Sequence, residues 1–169
     1  MTEKQSSEKQ TPVVVKETLP KVRPAETQQK QEQPSFRRTT FTQITNAYEF
    51  LQFWNSIHPK DINSFAHLLI NVQAVDLPKF IGSKLDDAML TTLLKAIHEL
   101  ITDQELCTQL TNEKKTAVDY LKSVAKSQRF NVIKLFLSQE QKKTLNDILA
   151  NLKNAHADDL AQIRKSYDL

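Results

Sequence analysis

The sequence predicts an all-α protein: a compact bundle of six to eight helices preceded by a disordered, polar N-terminal tail. Three observations carry this. The 169 residues include one glycine, Gly82, whereas strand-and-turn folds rely on glycine for hairpins and bulges. Beyond residue 40, apolar residues recur at three- and four-residue steps. Asn, Asp or Ser stands just before several of these runs, where an N-cap belongs. A chain of this length supports one sizeable core, so one domain over 41–169 with a tail over 1–40 is expected.

The tail holds four of the six prolines (Pro12, Pro20, Pro24, Pro34) among Gln, Lys, Glu and Thr. It has no helical period, and too little apolar surface to offset the entropy of ordering. Val13-Val14-Val15 is its one apolar cluster, read as a chance patch in preference to a short linear motif. The tail carries eight Lys/Arg and five Asp/Glu, which accounts for the whole net charge of +3. Residues 41–169 are neutral overall and offer no general electrostatic case for nucleic acid. No membrane span and no signal peptide are expected. The single Cys107 excludes an internal disulfide and fits a reducing compartment.

The elements follow in order. Asn46 caps a helix running to about Ile57, with Ala47, Phe50, Leu51, Trp54 and Ile57 as its stripe. Pro59 is expected in the first turn of a second helix, which buries Ile62, Phe65, Ala66, Leu69 and Val72. Asp76 to Ile81 reads as a short helix, with Gly82 at its left-handed C-terminal position. Asp86 caps the clearest helix, in which Met89, Leu90, Leu93, Leu94, Ile97, Leu100 and Ile101 recur. Residues 103–112 are polar and ambiguous. A fifth helix is expected from about Glu113 to Ser127, carrying Ala117, Val118, Leu121, Val124 and Ala125.

The most informative stretch comes next. Arg129 to Phe136 reads as a short helix abutting another that begins at Ser138. Arg129, Val132 and Phe136 fall at i, i+3 and i+7 and share one face. Ile133 and Leu135 are assigned to the core. Ser138 and Gln141 form a capping box for a helix to about Lys153, with Leu145, Ile148, Leu149 and Leu152 buried. Asp158 or Asp159 starts a last helix carrying Leu160, Ile163 and Tyr167. No fixed-period repeat is present.

No catalytic constellation emerges. One glycine cannot build a phosphate loop. The histidines His58, His67, His98 and His156 lack ligand spacing, apart from His156 with Asp159, which reads as a surface pair. His67 and His98 lie beside apolar stripes as boundary residues. Cys107 has no base or orienting group near it in sequence. The pairs Asp86-Asp87 and Asp158-Asp159 are explained by helix starts, and Lys114-Lys115 and Lys142-Lys143 by solvated helix faces. Phe50, Phe53 and Trp54 at helical spacing read as core packing before a stacking platform. Arg129 reads first as a cap or surface charge, and second as an interface anchor beside an exposed aromatic. No catalytic residue, cofactor or metal is assigned.

Residues 41–169 resemble the C-terminal, Monad-binding domain of the RNA polymerase II-associated protein 3 family. Three stretches carry the likeness: Thr45-Asn46-Ala47-Tyr48-Glu49-Phe50; Phe80-Ile81 with Leu85-Asp86 and the helix through Ile97-His98; and Leu121 to Lys143, containing R-F-x-V-x-x-x-F-L-S-x-E-x-K-K. The resemblance implies an all-helical domain that docks on RuvB-like AAA+ ATPases. It implies a non-enzymatic adaptor, tethering them to co-chaperone subunits of a heat-shock-chaperone-linked complex. That complex assembles RNA polymerases, small nucleolar ribonucleoproteins and PI3-kinase-like kinases. The family's contact helix maps onto Arg129, Val132 and Phe136; Val stands where relatives often have Met, implying a weaker anchor. A cytoplasmic location, with a nuclear pool as a second expectation, and a monomer outside the complex follow, with no nucleic-acid or membrane partner. The 103–111 segment is longer than in typical relatives. Family members carry tetratricopeptide repeats before this domain, and this chain shows a polar tail there, as in a short form or a separate small protein. The alternative is an axonemal dynein-arm assembly factor using a related domain.

Overall fold

Asn46 sets the first boundary. Its side-chain oxygen accepts the Glu49 amide at 2.8 Å and caps α1 (Ala47–Ser56), satisfying a donor the helix itself leaves unpaired. The computed structural model describes residues 43–113, 116–152 and 155–169. The expected tail over 1–40 and the Lys114-Lys115 pair lie outside these residues.

α2 spans Ile62–Ile70. Pro59 does not open it, as the spacing suggested, but sits in the preceding turn. The start is fixed instead by Asp61, whose carboxylate accepts the Ser64 amide at 3.1 Å and its hydroxyl at 2.6 Å. The helix buries Leu68 and Ile70 besides Phe65, Ala66 and Leu69, so it is enclosed on more than one side. α3 (Leu77–Ile81) stops at Gly82, which has φ +37°. A Cβ there would meet nothing within 4 Å, so glycine serves the left-handed backbone and not a close approach.

α4 (Asp87–Thr102) is capped by Asp86 on the Met89 amide at 2.7 Å. The ambiguous segment that follows is helical. α5 (Gln104–Asn112) is capped by Asp103 on the Leu106 amide at 2.9 Å and anchored by buried Leu106 and Leu110. α6 spans Ala117–Ala125, later than expected, because Thr116 and Asp119 form a capping box at that point. α7 (Phe130–Ile133) passes into a 3₁₀ turn, Lys134–Phe136. α8 (Gln139–Asn151) opens on the Ser138–Gln141 capping box read from the sequence. α9 spans Ala157–Ser166. The described residues thus form nine α-helices and no strand, α5 being the one beyond the expected set.

α4 lies at the centre. α2 and α8 pack on it, with α5 and α6 against it as well; α1 rests on α3, and α9 on α6. Trp54 meets Phe65 at 4.5 Å and Phe50 at 5.6 Å between ring centres, so these aromatics are core, as the helical spacing implied. Gln141, fully buried, extends its amide to the Asp87 carboxylate and the Thr91 hydroxyl, both at 2.9 Å, and locks α8 to the start of α4. At the surface Lys95 pairs with Glu140 at 2.8 Å across the same two helices. That hydrogen bond and charge hold the Glu140 carboxyl below its usual range. No helix among the described residues is long and apolar enough to cross a membrane.

Candidate functional site

Most large apolar side chains of the described domain are buried; five stand exposed, Tyr48, Val75, Val132, Leu135 and Phe136. Three of the five fall within five residues, on α7 and the 3₁₀ turn after it. Val132 is 59 % exposed, Leu135 70 % and Phe136 75 %. Such a concentration is what a protein-docking patch presents.

The local sequence explains the display. α6 ends at Ala125, and the chain turns through Ser127, whose carbonyl accepts the Phe130 amide at 3.0 Å. Arg129 then sits at the cap position of α7, and its carbonyl accepts the Val132 and Ile133 amides at 3.1 and 3.2 Å. Phe130, Ile133 and Leu137 are buried. Their i, i+3, i+7 spacing marks the inward face of the segment. Leu135 was assigned to the core with Ile133, and this is corrected: it points to solvent. Residues two apart on a helix lie about 200° apart, so Ile133 and Leu135 cannot share a face. Phe130 and Leu137, which the sequence reading passed over, supply the anchorage.

Arg129, Val132 and Phe136 are all exposed. Among the described residues, the Arg129 Nη1 donates to the Ser83 carbonyl at 3.3 Å, in the 3₁₀ turn that begins at Gly82. The guanidinium has five donors, and this contact uses one of them. Lys134 pairs with Asp168 at 3.3 Å, and Lys122 with Asp159 at 2.5 Å. Between Tyr120 and Leu137 the chain has four cationic side chains and no acidic one, but two of the four, Lys122 and Lys134, are met by carboxylates from α9 and the residues after it. An exposed apolar turn with an exposed guanidinium close by in sequence suits a partner that offers an apolar pocket and a carboxylate.

The other sequence candidates are scattered. His67 on α2 and His98 on α4 are half-buried, and Cys107 is exposed on α5. Among the described residues no three of His, Cys, Asp and Glu gather in a metal-binding group.

Comparison with known proteins bears on this surface. Residues 43–142 match the family model described as the potential Monad-binding region of RPAP3. The match includes the whole of α7 and its turn. Sperm-associated antigen 1 of Rattus norvegicus is 28 % identical over 132 residues, covering 73 % of this chain and 14 % of that protein. Sperm-associated antigen 1 of Homo sapiens is 25 % identical over 130 residues, covering 73 % of this chain and 13 % of that protein. The chain thus spans about one-seventh of the length of these relatives. No solved structure matches.

Proposed function

The chain belongs to the family of the potential Monad-binding region of RPAP3, and from that membership we propose that it is a non-enzymatic adaptor whose helical domain binds RuvB-like AAA+ ATPases. Its work is to tether them to co-chaperone subunits of the complex that assembles RNA polymerases, small nucleolar ribonucleoproteins and PI3-kinase-like kinases. The family is a protein-binding region, which agrees with a role met by a surface in place of a catalytic cleft. The observation that carries the reading is the exposed turn of Val132, Leu135 and Phe136 beside Arg129. Arg129 offers a planar donor fork to a carboxylate on the ATPase, and Phe136 an aromatic to an apolar pocket. The domain is preformed, so little ordering entropy opposes docking. The protein works in the cytoplasm, with a nuclear pool, and is a monomer when unbound.

A second reading, axonemal dynein-arm assembly, draws support from the name of the two relatives, since sperm are flagellated cells. One experiment separates the two. Purified RuvB-like ATPases are titrated against the full chain and against the double variant Arg129→Ala/Phe136→Ala. The double variant is expected to lose about 2–4 kcal/mol of binding while keeping its helical circular dichroism. No binding by the wild-type chain at physiological salt overturns the proposal, and enrichment of axonemal factors from ciliated-cell lysate promotes the second reading.

A further inference from the structure

The family match ends at residue 142, yet two residues far beyond it touch the docking turn. Tyr167 is fully buried; its ring meets Phe130 edge-on at 4.7 Å. Its hydroxyl donates to the Leu121 carbonyl on α6 at 2.9 Å. Asp168 follows with φ +53°, a left-handed conformation that Asp tolerates better than most residues but at some strain. The Leu169 amide closes back on the Arg164 carbonyl at 3.0 Å. This bend brings the Asp168 carboxylate to Lys134 Nζ at 3.3 Å. Lys134 is the residue that opens the 3₁₀ turn, and its carbonyl accepts the Leu137 amide that closes it, at 3.4 Å.

The docking segment is therefore gripped at two points, at Phe130, where α7 begins, by a ring and at Lys134, where the 3₁₀ turn begins, by a charge. It needs the grip. A four-residue helix with one 3₁₀ turn has too few internal hydrogen bonds to persist alone. A surface that must be ordered on contact loses affinity by the fraction of time it spends misplaced.

We propose that Tyr167 and Asp168 are positioning residues for docking, holding Lys134–Phe136 so that Leu135 and Phe136 are presented before a partner arrives. The proposal rests on the reading of this turn as the docking surface. It makes the chain after α9 a control point for affinity, although neither residue need touch the partner.

The test uses the full chain and two variants. Asp168→Asn keeps the left-handed preference and removes the charge; Tyr167→Leu/Asp168→Asn also removes the ring. Amide hydrogen exchange is followed in the free protein at Leu137, with Leu93 and Leu94 of α4 as the core reference. Exchange at Leu137 is expected to rise about two- to five-fold in the single variant, the range of an exposed ion pair. It should rise about tenfold or more in the double variant, with the α4 amides unchanged. An unchanged Leu137 in the double variant overturns the proposal, as does equal acceleration at Leu93 and Leu94, which marks a merely structural role. Affinity for purified RuvB-like ATPases is measured on the same samples and is expected to fall by a similar factor. Variants with a loosened turn and wild-type affinity also overturn the proposal. A wild-type chain that does not bind the ATPases sinks the adaptor reading instead, and Leu137 exchange still decides the clamp.

Discussion

The Tyr120 hydroxyl donates to the Leu69 carbonyl at 2.7 Å and lies 3.0 Å from the Val72 carbonyl, across some fifty residues of sequence. Both carbonyls belong to the C-terminal end of α2 and the turn beyond it, where helical partners run out. One buried phenol thus closes the end of α2 from α6. Tyr120→Phe leaves the packing intact and removes the donor. It should lower the unfolding free energy by about 1–2 kcal/mol, read from urea melts with an unchanged m-value. A loss under about 0.5 kcal/mol would show that the hydroxyl contributes nothing net.

The same phenols set an alkaline limit. Burial pushes the Tyr120 hydroxyl well above the usual tyrosine range, with Asp119 and Glu113 adding to the shift, and burial alone does so for Tyr167. In the unfolded chain both ionise near pH 10, so above that pH the native state holds more protons than the unfolded state. Stability then falls as pH rises, by up to about 1.4 kcal/mol per pH unit for each tyrosine. Below about pH 9 these two groups add no slope. Urea melts between about pH 10 and 11 should show a shallower fall for Tyr120→Phe than for wild type. Equal slopes would mean that Tyr120 ionises freely in the fold.

Gln141 offers a sharper test of a buried polar contact. Its carbonyl accepts the Ser138 amide at 2.7 Å, while its amide group donates to Asp87 and Thr91. Gln141→Glu preserves the shape and the accepting oxygen. It replaces the donor with a carboxylate facing the Asp87 carboxylate, and should cost about 2–4 kcal/mol. Asp87→Asn in the same chain restores a donor and should recover at least about 1 kcal/mol, as a double-mutant cycle reveals. Additive losses in the two single variants would show that the residues do not communicate.

Gln141 also marks where the sequence was legible. The capping box with Ser138 could be read from three-residue spacing, because both partners are local. The reach to Asp87 and Thr91 could not, because it crosses from α8 to α4. The same division runs through the fold. Asn46, Asp86 and Gly82 announced their boundaries by local chemistry, and the stripe from Met89 to Leu100 announced the central helix. Asp61 was overshadowed by Pro59, a residue equally at home in a turn. α5 was hidden because only Leu106 and Leu110 interrupt its polar surface. At the candidate site, the spacing of Arg129, Val132 and Phe136 singled out three residues that are each exposed, while the passage from α7 into a 3₁₀ turn before Phe136 was not legible. The support from Ser83, Tyr167 and Asp168 depends on long-range packing that no local pattern encodes.

The correction at Leu135 yields the most direct prediction about the site. Ile133 is 8 % exposed and Leu135 70 %, two residues apart, so truncating each should move a different quantity. Ile133→Ala empties a core position and should cost about 2–4 kcal/mol of stability. Leu135→Ala removes a side chain with little packing of its own and should leave stability within about 0.5 kcal/mol of wild type. If the turn docks on a RuvB-like ATPase, Leu135 lies beside Phe136 in that contact. Its truncation should then weaken binding by about 1–2 kcal/mol, between a rim residue and a central anchor. Thermal melts and titrations on the same two variants check both columns of this comparison. Destabilisation by Leu135→Ala would show that the side chain packs inward, and the apolar patch would shrink to Val132 and Phe136. Full affinity in a stable Leu135→Ala protein would confine the proposed contact to Arg129, Val132 and Phe136.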